Sequence, residues 1–213
     1  MYKIFLPSHR VIYFCRFRFQ NRLIKSYCRQ PIIHFCSSIH QIIIVQRLPN
    51  GMAVDTHVYW SLIRDLKPRQ IIETGSGQSP LLAIVAAETN HSVDGAPCTI
   101  TAIEPFPPAF LETRRQNDVT LIRKKLQEVD ADLFQKLEKD DILFIDSSHV
   151  LREGSDVQLE YLEILPRLNA GVLVHVHDIS LPCRYPKTYF EQNLSGTNST
   201  CCKLILFITV TWK

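Results

Sequence analysis

The sequence predicts an α/β domain built on a doubly wound, mostly parallel sheet. From residue 55 onward, short apolar runs alternate with segments whose apolar residues recur at helical spacing. The apolar runs lack polar alternation, as expected for strands that helices cover on both faces. Acids and histidines gather where these runs end. With 213 residues, the chain has room for one such domain.

The first strand–helix unit follows a short helix. That helix is predicted over residues 57–66 and ends before Pro68, because the residue before a proline disfavours helical backbone. A β-rich run at 70–74 comes next and leads into a glycine loop at 75–77. Ser79-Pro80 then begins a helix that continues through residue 87, since Ser is a good N-cap and Pro suits the first helical position.

The same strand–loop–helix unit then recurs along the chain. Further strands are predicted at residues 98–103, 119–122, 141–146 and 171–176. Further helices are predicted at residues 110–116, 131–138 and 156–165. Right-handed crossovers place the carboxyl ends of all the parallel strands at one edge of the sheet. Ligands bind along that edge in sheets of this type.

Polar residues stand where the predicted strands end. They are Glu73 after the first strand, Glu104 after the second, Asp146 and His149 after the fourth, and His177 and Asp178 after the fifth. A purely structural strand end more often carries the Gly, Asn or Ser of turn chemistry. We therefore interpret this edge as the functional site.

The glycine loop and Glu104 indicate a nucleoside cofactor. Gly75 and Gly77 allow the backbone to bend sharply and to approach a ligand closely. The Glu104 carboxylate can accept hydrogen bonds from both hydroxyls of a ribose. NAD-binding folds usually keep a third glycine where this chain has Pro80, which has no N–H for a pyrophosphate. The sequence also contains no Tyr-x-x-x-Lys pair, and both absences disfavour an NAD-dependent dehydrogenase.

Four stretches resemble class I S-adenosylmethionine-dependent methyltransferases, which have a Rossmann-like fold. Residues 71–79 resemble their motif I, and residues 103–105 resemble their acidic ribose-binding motif. Residues 141–149 and 175–179 together resemble one subgroup, the methyltransferase domain 24 family, and are the most specific part of the match. The resemblance implies S-adenosylmethionine as the cofactor and a small-molecule acceptor, with oxygen as the accepting atom.

The resemblance also implies roles for individual residues. The loop residues Gly75, Ser76 and Gly77, together with Glu73, are expected to lie against the methionine part of the cofactor. Glu104 is expected to hold the ribose. The segment after the third strand usually flanks the adenine, which in this chain indicates Gln127. Asp146 is assigned to the cofactor as well, through the amino group that it would bind.

Catalysis can be arranged in more than one way at the last two strand ends. His149 or His177 can act as a general base, because the pKa of histidine lies near neutral pH. Related small-molecule O-methyltransferases instead place a divalent metal such as Mg²⁺ between acids that correspond by position to Asp146 and Asp178, and His177 is then a candidate third ligand. Without a metal, Asp178 would orient a histidine. The alternative function is a catalytically impaired cofactor-binding module derived from a methyltransferase.

The two ends of the chain do not follow this pattern. Residues 1–50 contain eight Lys or Arg and no Asp or Glu, so we treat them as a basic extension, with a transit peptide as the second interpretation. The methyltransferase domain is assigned to residues 51–213. Only one strand-like run, 204–210, follows the fifth strand. We therefore expect a sheet that is truncated at the C-terminus and leaves an apolar edge open.

Composition excludes several other classes of protein. Beyond residue 50, acids outnumber bases, which disfavours nucleic acid as a partner. The seven cysteines are irregularly spaced, and we interpret them as reduced thiols in a cytoplasmic protein. No apolar run reaches the roughly 20 residues that a membrane span needs. The oligomeric state is left open.

Overall fold

The structure, a computed structural model, describes residues 2–5, 11–15, 41–45, 52–112, 118–178 and Glu191, with side chains from Val58 onward. Its strands are β1 (Tyr2–Phe5), β2 (Val11–Cys15), β3 (Gln41–Val45), β4 (Gln70–Thr74), β5 (Thr99–Ile103), β6 (Thr120–Ile122), β7 (Ile142–Ile145) and β8 (Leu173–Val176). Its α-helices are α1 (Met52–Leu66), α2 (Ser79–Asp94), α3 (Ala109–Glu112) and α4 (Asp156–Leu159).

The five strands from β4 to β8 form the parallel sheet that the sequence predicts. Their order is β8-β7-β4-β5-β6, and every neighbouring pair among them is parallel. β4 lies at the centre, so the chain winds outward from it in both directions. The prediction of a Rossmann-like, doubly wound α/β fold is confirmed.

Both faces of β4 and β7 are buried. Successive side chains of a strand point to opposite faces of the sheet. On β4, Ile71 joins the core cluster under α1 and α2, whereas Ile72 joins the cluster on the other face. Phe144 and Leu143 of β7 divide in the same way. Apolar side chains on both faces explain why these strands lack polar alternation.

All five predicted helices differ from the structure in type or length. α1 begins at Met52 instead of residue 57, and α2 continues to Asp94 instead of residue 87. Residues 131–138 were expected to be α-helical, but Ala131–Lys136 forms a 3-10 helix, with the Asp130 side chain accepting a hydrogen bond at its start. The predicted helix over 156–165 is divided into α4, a π-helical turn (Glu160–Ile164) and a 3-10 turn (Leu165–Arg167). Pro166 has no N–H to donate, so an α-helix is not favoured there. The helix predicted over 110–116 is described only as α3, since residues 113–117 lie outside the described part.

The N-terminal strands extend the sheet beyond β8. β3 pairs in parallel with β8, with Gln41 opposite Leu173 and Ile44 opposite Val176. β2 pairs in parallel with β3, and β1 pairs antiparallel with β2. The expectation that the edge next to β8 would be open is therefore wrong. The domain boundary at residue 50 stays a prediction, and the strand-like run 204–210 lies outside the described residues.

Within the residues that the structure describes, no helix is both long enough and apolar enough to cross a membrane.

Candidate functional site

The glycine loop lies directly against the backbone that follows β7. Gly75 has a positive φ of 79°, and a Cβ atom placed on it would be 2.0 Å from the carbonyl oxygen of Asp146. The backbone N–H of Gly75 donates to the Ile103 carbonyl at 3.0 Å. Only glycine combines this conformation with so close an approach. The loop after β4 therefore touches the last residue of β5 and the chain directly after β7.

Glu104 fastens the glycine loop to the end of β5. Its Oε2 atom accepts a hydrogen bond from the Ser76 N–H at 3.0 Å, and its Oε1 atom accepts one from the Phe106 N–H at 2.9 Å. The side chain is half-buried, and each carboxylate oxygen can accept a second hydrogen bond. Glu104 can thus organise the loop and still accept the hydroxyls of a ribose.

The rest of the glycine loop leaves room for a ligand. A Cβ atom on Gly77 would meet no atom within 4 Å. The Ser76 Oγ atom is buried and has no hydrogen-bond partner among the described residues. A buried hydroxyl normally has a partner, so this oxygen is suited to binding a polar group of a ligand.

Glu73 is bonded to α1 and to the start of α2. Its side chain is fully buried, with Oε1 accepting from the Tyr59 hydroxyl at 2.8 Å and Oε2 accepting from the Ser79 hydroxyl at 2.7 Å. Burial raises the pKa of Glu73 to about 7, against the opposing effect of these two hydrogen bonds. These bonds tie Glu73, at the end of β4, to α1 and to the start of α2. Its role toward the methionine part of the cofactor stays a prediction.

The ends of β7 and β8 bring four predicted site residues together. The Asp146 Oδ1 atom lies 3.2 Å from Nε2 of His149 and 3.2 Å from Nδ1 of His177. Asp178 lies 3.5 Å from the His177 ring and 4.0 Å from the His149 ring. All four side chains are partly exposed, so a ligand can reach them. We refer to these four residues below as the acid–imidazole cluster.

The electrostatics of the acid–imidazole cluster favour an ionised Asp146. Its burial disfavours the charged form, but hydrogen bonds from His149 and His177 and the charge of the two rings outweigh that effect. Together they hold the pKa of Asp146 well below its usual range. Asp146 therefore stays negatively charged at neutral pH and can stabilise a proton on either ring.

Two members of the cluster have an unusual backbone. His149 has a φ of 60° and Asp178 a φ of 53°, which is the left-handed region that non-glycine residues seldom occupy. Such a conformation costs of the order of 1–3 kcal/mol and concentrates at functional sites. Ser148, next to His149, is anchored because Asp156 accepts hydrogen bonds from its N–H at 2.9 Å and from its hydroxyl at 2.5 Å.

His175 lies below the cluster and belongs to the core. Its ring is fully buried and makes edge contacts with the rings of Tyr59 and Phe144, at centroid distances of 5.5 and 4.8 Å. Burial lowers the pKa of His175 to about 3, and the charge of His177 contributes to the shift. His175 is therefore neutral near physiological pH and packs as an aromatic side chain.

Gln127 lies on the surface, on a 3-10 turn after β6. Its side-chain amide donates to the Gly154 carbonyl at 2.9 Å, which joins this turn to the loop before α4. The structure places Gln127 after the third parallel strand, as its position in the sequence predicts. Its role toward an adenine stays a prediction.

Four supporting residues were missed in the sequence. The Tyr59 hydroxyl donates a hydrogen bond to Glu73. The hydroxyls of Thr74 and Ser147 donate hydrogen bonds to the carboxyl group of Glu160, a residue that is 1% exposed. One signal in the sequence could have indicated Glu160. It stands at helical spacing between Val157 and Ile164, on the face that should be apolar.

The comparison with known families agrees with this geometry. A family model described as a methyltransferase domain matches residues 72–179, just over half of the chain. The chain belongs to the methyltransferase domain 24 family. The matched segment runs from β4 to the end of β8 and contains both the glycine loop and the acid–imidazole cluster of this methyltransferase. No curated protein and no solved structure matches the chain.

Proposed function

We propose that this methyltransferase takes its methyl group from S-adenosylmethionine and transfers it to an oxygen atom of a small-molecule acceptor. The proposal is supported by the position of the glycine loop relative to the acid–imidazole cluster. The glycine loop and the acid–imidazole cluster share an edge of the sheet and meet where Gly75 touches the Asp146 carbonyl. A nucleoside cofactor bound at the loop would therefore have its reactive end beside titratable side chains.

The donor set at the glycine loop suits S-adenosylmethionine. Glu104 is available to the ribose hydroxyls, and the space beside Gly77 together with the buried Ser76 hydroxyl suits the methionine part. Gly75 brings the loop close to the chain after β7, and it stays our proposal for the methionine part together with Glu73. Gln127 stays our proposal for the adenine ring, and Asp146 stays our proposal for the cofactor's amino group.

The cofactor supplies an electrophilic methyl group on a sulfonium, and the protein must align the acceptor with it. Reacting atoms need to approach within about 3–3.5 Å, and an oxygen acceptor must also lose its proton. We assign that proton to His149 or His177. Asp146, ionised and 3.2 Å from both rings, would orient the imidazole and stabilise the imidazolium that forms.

A divalent cation is a second way to activate the acceptor at the same place. One ligand atom each of Asp146, His149 and Asp178 lies within 4.8 Å of the others, which is the spacing of a metal site. Our sequence proposal had His177 as the third ligand, whereas this set contains His149. Two carboxylates and one imidazole would suit Mn²⁺, Fe²⁺ or Zn²⁺ better than Mg²⁺. A bound cation would lower the pKa of an acceptor hydroxyl.

A methyl-transfer assay tests the proposed function. The wild-type chain is incubated with isotopically labelled S-adenosylmethionine and a panel of small hydroxylated acceptors, and methylated product is measured by mass spectrometry. His149→Gln or His177→Gln should lower kcat by roughly 10²–10⁴-fold for the residue that serves as the base. His91→Gln is the matched control, because His91 is exposed on α2.

The possible outcomes separate the two candidate functions. Turnover that depends on one of the two histidines supports the proposal. Binding of S-adenosylmethionine without turnover of any acceptor would instead support a catalytically impaired cofactor-binding module. Absence of cofactor binding would contradict both.

A further inference from the structure

Glu160 is a buried carboxyl group that joins the two loops of the site. Its Oε1 atom accepts from the Thr74 hydroxyl at 2.6 Å, and its Oε2 atom accepts from the Ser147 hydroxyl at 2.8 Å. Thr74 directly precedes Gly75, and Ser147 directly follows Asp146. One side chain therefore holds both the start of the glycine loop and the residue next to the acid–imidazole cluster.

The local helix geometry explains how Glu160 reaches these loops. It begins the π-helical turn after α4, on the face that also buries Val157, Tyr161 and Ile164. π-helical turns are rare and frequently occur at functional sites. A carboxyl group among apolar side chains is costly unless it is hydrogen-bonded, and here both of its oxygens are. Burial also raises the pKa of Glu160 to about 8, which favours the neutral form.

A second carboxylate of the same helical segment completes the attachment. Asp156, one helical turn before Glu160, binds the N–H and the hydroxyl of Ser148. Both residues between Asp146 and His149 are thus tied to this segment. These bonds fix the chain up to His149, which has a left-handed backbone. The His149 ring lies 3.2 Å from the Asp146 carboxylate.

We propose that Glu160 is a positioning residue that holds the glycine loop and the loop after β7 in a fixed relation and so sets the contact between Asp146 and His149. The kinetic consequence rests on the proposed function. The geometric consequence does not, since it concerns only the position of the His149 ring. The two hydrogen bonds of Glu160 can be removed separately. The bond from Thr74 holds the glycine loop, and the bond from Ser147 holds the loop that carries the acid–imidazole cluster.

The geometric test is the imidazole spectrum of the full chain. Long-range ¹H–¹⁵N correlation spectra are recorded for the wild type, and His149 is assigned from the signals lost in His149→Gln. Ser147→Ala and Glu160→Met should move the His149 signals, because the loop that carries the ring is released. Glu160→Gln should restore them, since an amide can still bond both hydroxyls. Glu163→Met, an exposed neighbour on the same turn, is the control and should change nothing.

The kinetic test separates the two hydrogen bonds of Glu160. Ser147→Ala should lower kcat roughly threefold to tenfold with little change in cofactor affinity, and Thr74→Val should weaken cofactor binding by a similar factor, as for one lost hydrogen bond. If the wild type binds no S-adenosylhomocysteine, the proposed function fails, while the His149 spectrum still decides the role of Glu160. If Glu160→Met does not fold, Ser147→Ala decides alone.

Two results would overturn the role of Glu160. One is an unmoved His149 spectrum in folded Ser147→Ala. The other is a Glu160→Gln protein that resembles Glu160→Met, because hydrogen bonding would then not be what positions the loops.

Discussion

The Asp146 carboxylate contacts the His149 ring at 3.2 Å although the two residues are only three positions apart and not on a helix. The contact requires the left-handed backbone of His149. Ser148, the residue before His149, is hydrogen-bonded to Asp156 at the start of α4. The protein thus maintains a strained turn at the end of β7. Strain of this kind persists only where the surrounding structure fixes it, and it is typical of sites with a chemical role.

The metal alternative predicts that the cluster binds Mn²⁺. Titration of the wild type followed by electron paramagnetic resonance should show one bound ion, because a cation relieves the repulsion between Asp146 and Asp178. Asp178→Asn should lower the Mn²⁺ affinity at least about tenfold, since it removes a charged ligand. Asp65→Asn, an exposed acid on α1, should bind like the wild type. Equal Mn²⁺ affinity in Asp178→Asn would exclude a metal site in the acid–imidazole cluster and leave the histidines as the candidate bases.

The two loop glycines should respond differently to alanine. Gly75→Ala should lower the free energy of unfolding by roughly 2–5 kcal/mol, because it combines a left-handed residue with a clash against the Asp146 carbonyl. Gly77→Ala should leave stability nearly unchanged, since a Cβ there meets open space. If the cofactor fills that space, Gly77→Ala should still weaken its binding. Equal stability of the two variants in urea unfolding would contradict the described loop.

Glu160 should make stability depend on pH in a defined direction. Its pKa is raised from about 4.5 to about 8 on folding, so its contribution to stability is complete below pH 4.5 and is lost as the pH rises to 8. The slope is about 1.4 kcal/mol per pH unit for one such group. Glu160→Gln cannot titrate, so its stability relative to the wild type should rise across this range. Glu73 titrates in both proteins and cancels in the comparison.

The control for this measurement is Glu163→Gln, which replaces an exposed acid on the same turn. Its unfolding free energy should run parallel to that of the wild type from pH 4.5 to 8. A Glu160→Gln curve that is also parallel would show that Glu160 does not keep a raised pKa in the folded protein.

The parallel strands of the central sheet could be predicted because each strand carries its own signal. Residues 142–145 are apolar without alternation, which indicates burial on both faces, and the chain alternates such runs with helices. Right-handed crossovers then place Glu104, Asp146 and Asp178 along the same edge of the sheet. The matched family spans the same segment. The strands and the functional edge therefore follow from the local pattern of apolar residues together with the right-handedness of parallel crossovers.

The parts that the sequence did not predict depend on contacts distant along the chain. The burial of Glu73 against Tyr59 needs α1 to pack below the glycine loop, and no local pattern reports that packing. The pairing of β3 with β8 joins residues about 130 positions apart, which periodicity cannot indicate. The π-helical turn at Glu160 is likewise a tertiary compromise, because the spacing of apolar residues fits an α-helix equally well.

The cofactor of this methyltransferase is identified by calorimetric titration of the wild-type chain with S-adenosylmethionine, S-adenosylhomocysteine and NAD. We expect both sulfur compounds to bind and NAD not to bind. Glu104→Ala should weaken binding, by roughly 1.5–3 kcal/mol for each hydrogen bond lost to this charged acceptor. Glu88→Ala, which changes an exposed acid on α2, should bind as the wild type does. Binding of NAD but not of S-adenosylmethionine would contradict S-adenosylmethionine as the cofactor. Unchanged affinity in Glu104→Ala would contradict Glu104 as the residue that holds the ribose.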